Sequence, residues 1–146
     1  MTSSLEGAET EIGALLDEWV DALQAKDVAR RTAAYAPDVA LFDVVNPLRH
    51  SGLAALQARL ASWFSTFAGP IGCEIRELDI TADESIAFCH SLNRFHGTIN
   101  DGGTLDMWVR FTVCLRKSDG RWLVTHEHAS VPFDPATGTA SLDVSP

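Results

Sequence analysis

Two carboxylic acids inside apolar segments are the residues best suited to proton transfer in this chain. Asp43 lies between Leu41-Phe42 and Val44-Val45, so its carboxylate must reach either water or a hydrogen-bond partner. In a pocket, such an aspartate suits proton abstraction next to a carbonyl group. The alternative is a surface or capping aspartate at a strand end.

Glu127 is the second acid, and it lies between His126 and His128. Side chains alternate along a strand, so strict alternation places both histidines with Val124 and Glu127 on the opposite face. One of these polar sets must therefore face the core, and the residues alone leave open which. The two histidines could bind a metal if a further histidine joined them, but their spacing does not force three ligands together. We predict no metal and no other cofactor.

A second group of polar candidates lies on the two strands that precede Glu127. Arg110 and Thr112 share one strand face, and in a pocket Arg110 would hold a carboxylate or enolate oxygen. The alternative is a structural salt bridge from Arg110 to Asp106 or Glu127. His90 lines either the cavity mouth or an exposed or interfacial strand face.

Composition and charge restrict the function classes. The chain has 146 residues, which fits one domain over 1–146. A net charge of -9 argues against nucleic acid and anionic membranes as partners, and no apolar run approaches the ~20 residues of a membrane span. The N-terminus lacks the pattern of a secretory signal. Three cysteines without CxxC spacing favour a reduced, cytoplasmic setting.

The order of predicted elements indicates an α+β fold. Apolar spacing predicts three helices, at residues 9–24, 28–35 and 53–67. Five strands are predicted at residues 39–45, 73–82, 85–100, 104–117 and 121–132. Short connections after the helices predict helices packed on one face of a curved antiparallel sheet. Residues 134–146 form a small, polar tail that we expect to be loosely ordered.

Four segments carry a family resemblance. They are YAPDVALFD at 35–43, HSG at 50–52, WVRFT at 108–112 and DGRWLVTHEHASVPF at 119–133. With the element order, they resemble the NTF2-like α+β cone, and more closely its SnoaL-like, ketosteroid-isomerase-related members. The resemblance implies three N-terminal helices on a curved, mainly antiparallel sheet that encloses a pocket. It also implies a homodimer through the outer sheet face.

The resemblance assigns roles to individual positions. Asp43 matches the general base of ketosteroid isomerases, and Glu127 matches the acid/base aspartate of SnoaL-like cyclases, which places Glu127 inside. His126 and His128 then lie on the outer face.

Two further positions depart from the isomerase pattern. Trp19 and Thr112 stand where those enzymes carry the two donors to the developing oxyanion. Indole N–H and a hydroxyl can each donate one hydrogen bond, but both are weaker acids, so steroid isomerisation is not predicted.

We therefore expect a small-molecule isomerase, cyclase or lyase that uses a pocket carboxylate for proton transfer next to a carbonyl. Its partner would be a small apolar or carbonyl-containing ligand. Candidate ligand contacts are Trp19, Trp63, His90, Arg110, Thr112, His126 and His128. The alternative is a non-catalytic ligand-binding or association domain. An epoxide hydrolase is less favoured, because the R-x-D element of such enzymes is Arg110-Phe111-Thr112 here.

Overall fold

The computed structural model describes residues 2–146. Three helices lie at α1 Thr2–Gln24, α2 Val28–Arg31 and α3 Leu53–Phe64. The strands are β1 Tyr35–Phe42, β2 His50–Ser51, β3 Gly72–Ala82, β4 Ile86–Thr98, β5 Thr104–Ser118, β6 Arg121–Ser130, β7 Phe133–Asp134 and β8 Thr139–Ala140.

Strands β1 to β6 form one open sheet in the order β2-β1-β6-β5-β4-β3. All neighbours are antiparallel except β1 and β6, which are parallel. The helices pack on one face, so the α+β prediction is confirmed. The sheet is not closed, and β2 and β3 are its edges.

The second helix is shorter than predicted, since it ends at Arg31 instead of continuing to residue 35. Asp27 caps its start by accepting a hydrogen bond from the Arg30 backbone N–H at 3.0 Å. The chain then joins the sheet, because the Val124 N–H donates to the Ala34 carbonyl at 2.8 Å. The Ala34 carbonyl therefore bonds to the sheet, whereas in a longer helix it would have bonded within the helix.

Alternation along β5 decides which residues reach the core. Val109, Phe111, Val113 and Leu115 are buried, and they pack in one cluster with Ile12, Leu16 and Trp19 of α1. Arg110 and Thr112 point to the opposite, outer face of the sheet.

A β-bulge at Thr125 interrupts the alternation of β6. Leu115 pairs with Val124, but the adjacent Cys114 pairs with His126, which leaves Thr125 without a partner. Val124 and Glu127 are therefore both buried, although they are three residues apart. The expectation that both histidines share a face with Val124 is wrong for this reason.

The C-terminal residues turn back toward the outer sheet face. Strands β7 and β8 form a small hairpin, and the segment 142–146 lies beside Trp108 and Arg110. The loose order of residues 134–146 stays a prediction about their motion.

Candidate active site

A cavity of about 110 Å³ lies between the helices and the inner face of the sheet. Ten of its lining residues are apolar, including Trp63 of α3 and Phe111 of β5. The four charged ones are Arg31, Asp43, Arg59 and Glu127. The volume is well below the roughly 300–1,000 Å³ of sites for drug-sized ligands. Only a small molecule, or one small part of a larger one, fits inside.

The first charged pair joins Asp43 to Arg59. Asp43 directly follows β1, and its Oδ2 atom accepts a hydrogen bond from Arg59 Nε at 2.6 Å. Its Oδ1 atom accepts one from the Val44 backbone N–H at 2.7 Å. The side chains of Arg59 and Asp43 are 22% and 13% exposed, so this pair lies near the cavity entrance.

The second pair, Arg31 and Glu127, lies deeper. Arg31 Nη2 donates to Glu127 Oε1 at 3.2 Å, and both side chains are only 6% exposed. Arg31 Nη1 donates to the Tyr35 hydroxyl, and the guanidinium carbon lies 3.7 Å from the centroid of the Trp19 ring. Stacking on Trp19 and bonding to Tyr35 hold the cation in place.

Burial dominates the ionisation of the deeper pair. It raises the pKa of Glu127, and the charge and hydrogen bond of Arg31 only partly offset that effect. Burial likewise lowers the pKa of Arg31, although a guanidinium remains protonated in proteins. Glu127 therefore keeps its proton at a higher pH than an exposed glutamate, which suits a general acid.

The structure brings the two predicted acids, Asp43 and Glu127, to the same cavity. Leu41 of β1 is the direct neighbour of Glu127 in β6, and Asp43 lies two residues further along. One strand across and two residues along correspond to roughly 8 Å between Cα atoms. The two carboxylates can therefore face a single small ligand.

Arg110, Thr112 and His90 do not line this cavity and lie on the outer face of the sheet. Thr112 pairs with His90 on one side and with His128 on the other, in a row across the outer face. Arg110 Nε donates to the Ser130 hydroxyl at 3.0 Å and forms no salt bridge with Asp106 or Glu127. Side chains alternate along β5, so Arg110 and Thr112 face away from the buried Val109 and Phe111.

The two tryptophans predicted to contact a ligand, Trp19 and Trp63, take different positions. Trp63 lines the cavity directly. Trp19 is 4% exposed and lies behind Arg31 instead of at the cavity surface. Its ring packs on Tyr35 and Phe111 as part of the core.

His126 and His128 lie on the outer face, and both rings pack against Phe42. Their ring centroids are 4.7 Å and 5.5 Å from that of Phe42, and His126 Nδ1 lies 2.7 Å from the Ala40 carbonyl oxygen. Both are therefore away from the cavity.

Within residues 2–146, no group of three or more His, Cys, Asp or Glu side chains has a geometry that could hold a metal ion. None of the helices described is long and apolar enough to cross a membrane.

Arg31 and Arg59 are the site residues that the sequence analysis missed. Arg59 did carry a signal, because it lies on the same side of the third helix as Leu56 and Trp63, three and four residues away. A charge in an apolar stripe calls for a buried partner. The signal for Arg31 was weaker: it lies four residues before Tyr35, a spacing that makes the two side chains neighbours on the predicted helix.

The open sheet with helices on one face and a cavity between the two layers agrees with the NTF2-like fold that the sequence predicted. Residues 12–134 match the family described as the SnoaL-like domain, and the chain belongs to that family. No curated protein matches the chain.

Solved structures share the architecture. An NTF2-like protein of unknown function from Pseudomonas putida KT2440 is 33% identical, with a TM-score of 0.87 over 97% of this chain and 98% of that one. A "Putative Scytalone Dehydratase" from Novosphingobium aromaticivorans DSM 12444 is 15% identical, with a TM-score of 0.82 over 100% and 99%. A ketosteroid isomerase-like protein from Erwinia carotovora atroseptica SCRI1043 is 24% identical, with a TM-score of 0.70 over 83% and 93%.

Proposed function

We propose that this protein is a small-molecule isomerase or lyase in which Asp43 is the general base and Glu127 the general acid. The observation that carries the proposal is a pair of carboxylates of unequal burial in one apolar cavity, each held by its own arginine. Carboxylates whose environments differ in this way can divide acid and base roles between them. Membership of a family with isomerase-like and dehydratase-like structural neighbours supports the same reaction class.

Asp43 is suited to proton removal because it lies near the entrance and is held in one orientation. Each of its oxygens accepts a single protein hydrogen bond, from Arg59 or from the Val44 N–H. An ionised carboxylate has further lone pairs, so one can accept a proton from the carbon next to a ligand carbonyl. Arg59 fixes the carboxylate and stabilises charge beside it.

Glu127 would supply the matching proton to the carbonyl oxygen. As Asp43 takes the proton from carbon, the electron pair of the C–H bond forms a carbon–carbon double bond, and the carbonyl oxygen becomes an enol hydroxyl. The Glu127 carboxylate left behind is stabilised by the Arg31 hydrogen bond. Return of the Asp43 proton to another carbon, with the enol proton returning to Glu127, completes an isomerisation. In an elimination, the enol proton would instead return to Glu127 as the β-substituent leaves with the electron pair of its bond to carbon and takes up the proton held by Asp43.

The second candidate is a ligand-binding domain without turnover. It is favoured by the pairing itself, because both carboxylates are already matched by arginines and a fold could keep such pairs for structure alone. The same cavity would then bind a small molecule and release it unchanged.

Proton exchange tests the choice between these candidates. A small β,γ-unsaturated cyclic ketone is incubated with the protein in deuterated water, and isomerisation and deuterium uptake at carbon are followed by absorbance and NMR. Asp43→Asn should lower the rate by about 10²–10⁴-fold. Asp38→Asn is the matched control, since Asp38 is exposed on β1, the strand that Asp43 follows. Equal rates for the two variants would contradict the proposal, and binding without exchange would support the second candidate.

A further inference from the structure

Arg59 lines the cavity, and its two terminal nitrogens have no hydrogen-bond acceptor among the residues that the structure describes. Arg59 contacts Asp43 through Nε, and its Nη1 and Nη2 atoms donate no hydrogen bond to any residue described in the structure. The side chain is 22% exposed and lines the cavity. Its terminal N–H groups form a planar, charged donor that suits a ligand carboxylate.

The charge around the entrance has the opposite sign to that of the whole chain. An open groove of about 660 Å³ shares Asp43 and Val44 with the cavity, and Arg49 and His128 also line it. The residues around the entrance include two arginines, Arg49 and Arg59, and one carboxylate, Asp43, whereas the chain has a net charge of -9. A cluster of cations on an acidic protein attracts an anionic ligand to that place.

The polar groups of the cavity also differ in depth. Glu127 is 4% exposed and lies deep, whereas Arg59 lies near the entrance, and apolar side chains such as Trp63 and Phe111 line the space between. A ligand that satisfies both ends needs a neutral oxygen at one end, a short apolar middle and an anion at the other.

We infer that the substrates are small keto acids, with the carboxylate bound by the Arg59 Nη groups and the ketone oxygen facing Glu127. This inference rests on the proposed function for the role of Glu127, but the recognition of the carboxylate is independent of turnover. A cavity of about 110 Å³ encloses a ligand of on the order of ten non-hydrogen atoms or fewer. Arg59 thereby becomes the residue that determines specificity for the anion.

Levulinate and its amide form the test pair, because they have nearly the same shape and differ in charge. Binding of each is measured by calorimetry and by NMR chemical-shift changes to the wild-type protein, to Arg59→Gln and to Arg59→Lys. We expect the wild type to prefer levulinate by about tenfold or more, as for a charge-assisted pair. The preference should fall to about one in Arg59→Gln and be partly retained in Arg59→Lys. Arg116→Gln, which removes an exposed charge on β5, should keep the wild-type preference.

Using the ratio of two ligands within each variant separates recognition from a general loss of fold or affinity. Equal binding of acid and amide by the wild type would overturn the inference, as would a preference that survives in Arg59→Gln. Absence of levulinate binding at millimolar concentrations would overturn it as well. Selective binding without proton exchange would retain the inference and reject the proposed catalysis, whereas equal exchange of acid and amide would do the reverse.

Discussion

Arg31 Nη2 lies 3.2 Å from Glu127 Oε1, and this contact joins residues that are 96 positions apart in the chain. It links the end of α2 to the middle of β6, with each side chain 6% exposed. A buried charge that loses its partner is strongly destabilising, whereas the intact pair adds little net stability. The pair therefore holds Glu127 in one orientation at the cavity. Removing one of the two residues should strongly destabilise the folded state.

Replacing Arg31 should reveal that penalty. Arg31→Leu is expected to lower the free energy of unfolding by about 3–5 kcal/mol at pH 8, because an ionised Glu127 is left without a partner. The loss should shrink as the pH is lowered, because protonation of Glu127 removes the charge. Urea unfolding followed by tryptophan fluorescence measures both. Arg30→Leu is the matched control on the same helix; its partner Glu18 is exposed, so its effect should be small. Similar losses for the two variants would contradict the account of the buried pair.

Glu127 should also control how stability depends on pH. Its pKa in the folded state is raised above the ordinary value of 4.5, so between the two values the folded state binds more protons than the unfolded state. The contribution of Glu127 to stability is thus fully present below pH 4.5 and is lost as the pH rises through the raised pKa. The physical cause is burial, because the folded state must hold the ionised carboxylate away from water once the proton has left.

Unfolding from pH 4 to pH 8 checks this dependence. The difference in unfolding free energy between wild type and Glu127→Gln should fall as the pH rises. Glu84→Gln, in the exposed turn between β3 and β4, should show no such trend. A difference that grows with pH would mean that the pKa of Glu127 is lowered instead.

The aromatic end of α3 should be a stability determinant. Phe64 is 4% exposed and packs in a cluster with Leu23, Phe67 and Ile71. Phe64→Ala should lower the free energy of unfolding by about 3–5 kcal/mol through the cavity it leaves. Leu48→Ala is the control, because Leu48 is 94% exposed. A loss below about 1 kcal/mol for Phe64→Ala would show that this cluster contributes little.

We propose that the outer sheet face forms a homodimer. Phe42 is 37% exposed there beside His126 and His128, and Phe88 is 45% exposed beside Cys114. Large apolar side chains exposed on a sheet face are often covered by a partner. Sedimentation at micromolar concentration should show a dimer, and Thr112→Arg in the middle of the face should give a monomer. A wild-type monomer at that concentration would reject the proposal.

The cysteines should differ in reactivity. Burial raises the pKa of the Cys73 and Cys89 thiols to about 11, so on the order of 0.1% of each is thiolate at pH 8. Cys114 lies on the outer face and is less enclosed, although burial raises its pKa as well. In the Thr112→Arg variant, in which the outer face is expected to be uncovered, iodoacetamide labelling followed by mass spectrometry should modify Cys114 first, with all three equal in urea. Earlier labelling of Cys73 or Cys89 would contradict the buried placement.

Local patterns predicted much of the fold because they act over a few residues. The apolar spacing of residues 9–24 and the alternation along residues 104–117 correspond to α1 and β5. Glu127 faces the core as the family resemblance implied, although strict alternation alone left its side open. The length of α2 was wrong, since its end depends on pairing with Val124, 90 positions beyond Ala34.

By itself, the sequence determined the α+β class, the family and the two acids in apolar segments, because periodicity, composition and local motifs are properties of neighbouring residues. Only the tertiary structure decided on which face of the sheet each polar side chain lies and which residues bind the two acids. The bulge at Thr125 turns both Val124 and Glu127 inward, and strand pairing sends Arg110 to the outer face. Arg31 and Arg59 reach the acids from helices distant in the chain. Such contacts depend on how elements pack, and no spacing within a single element encodes them.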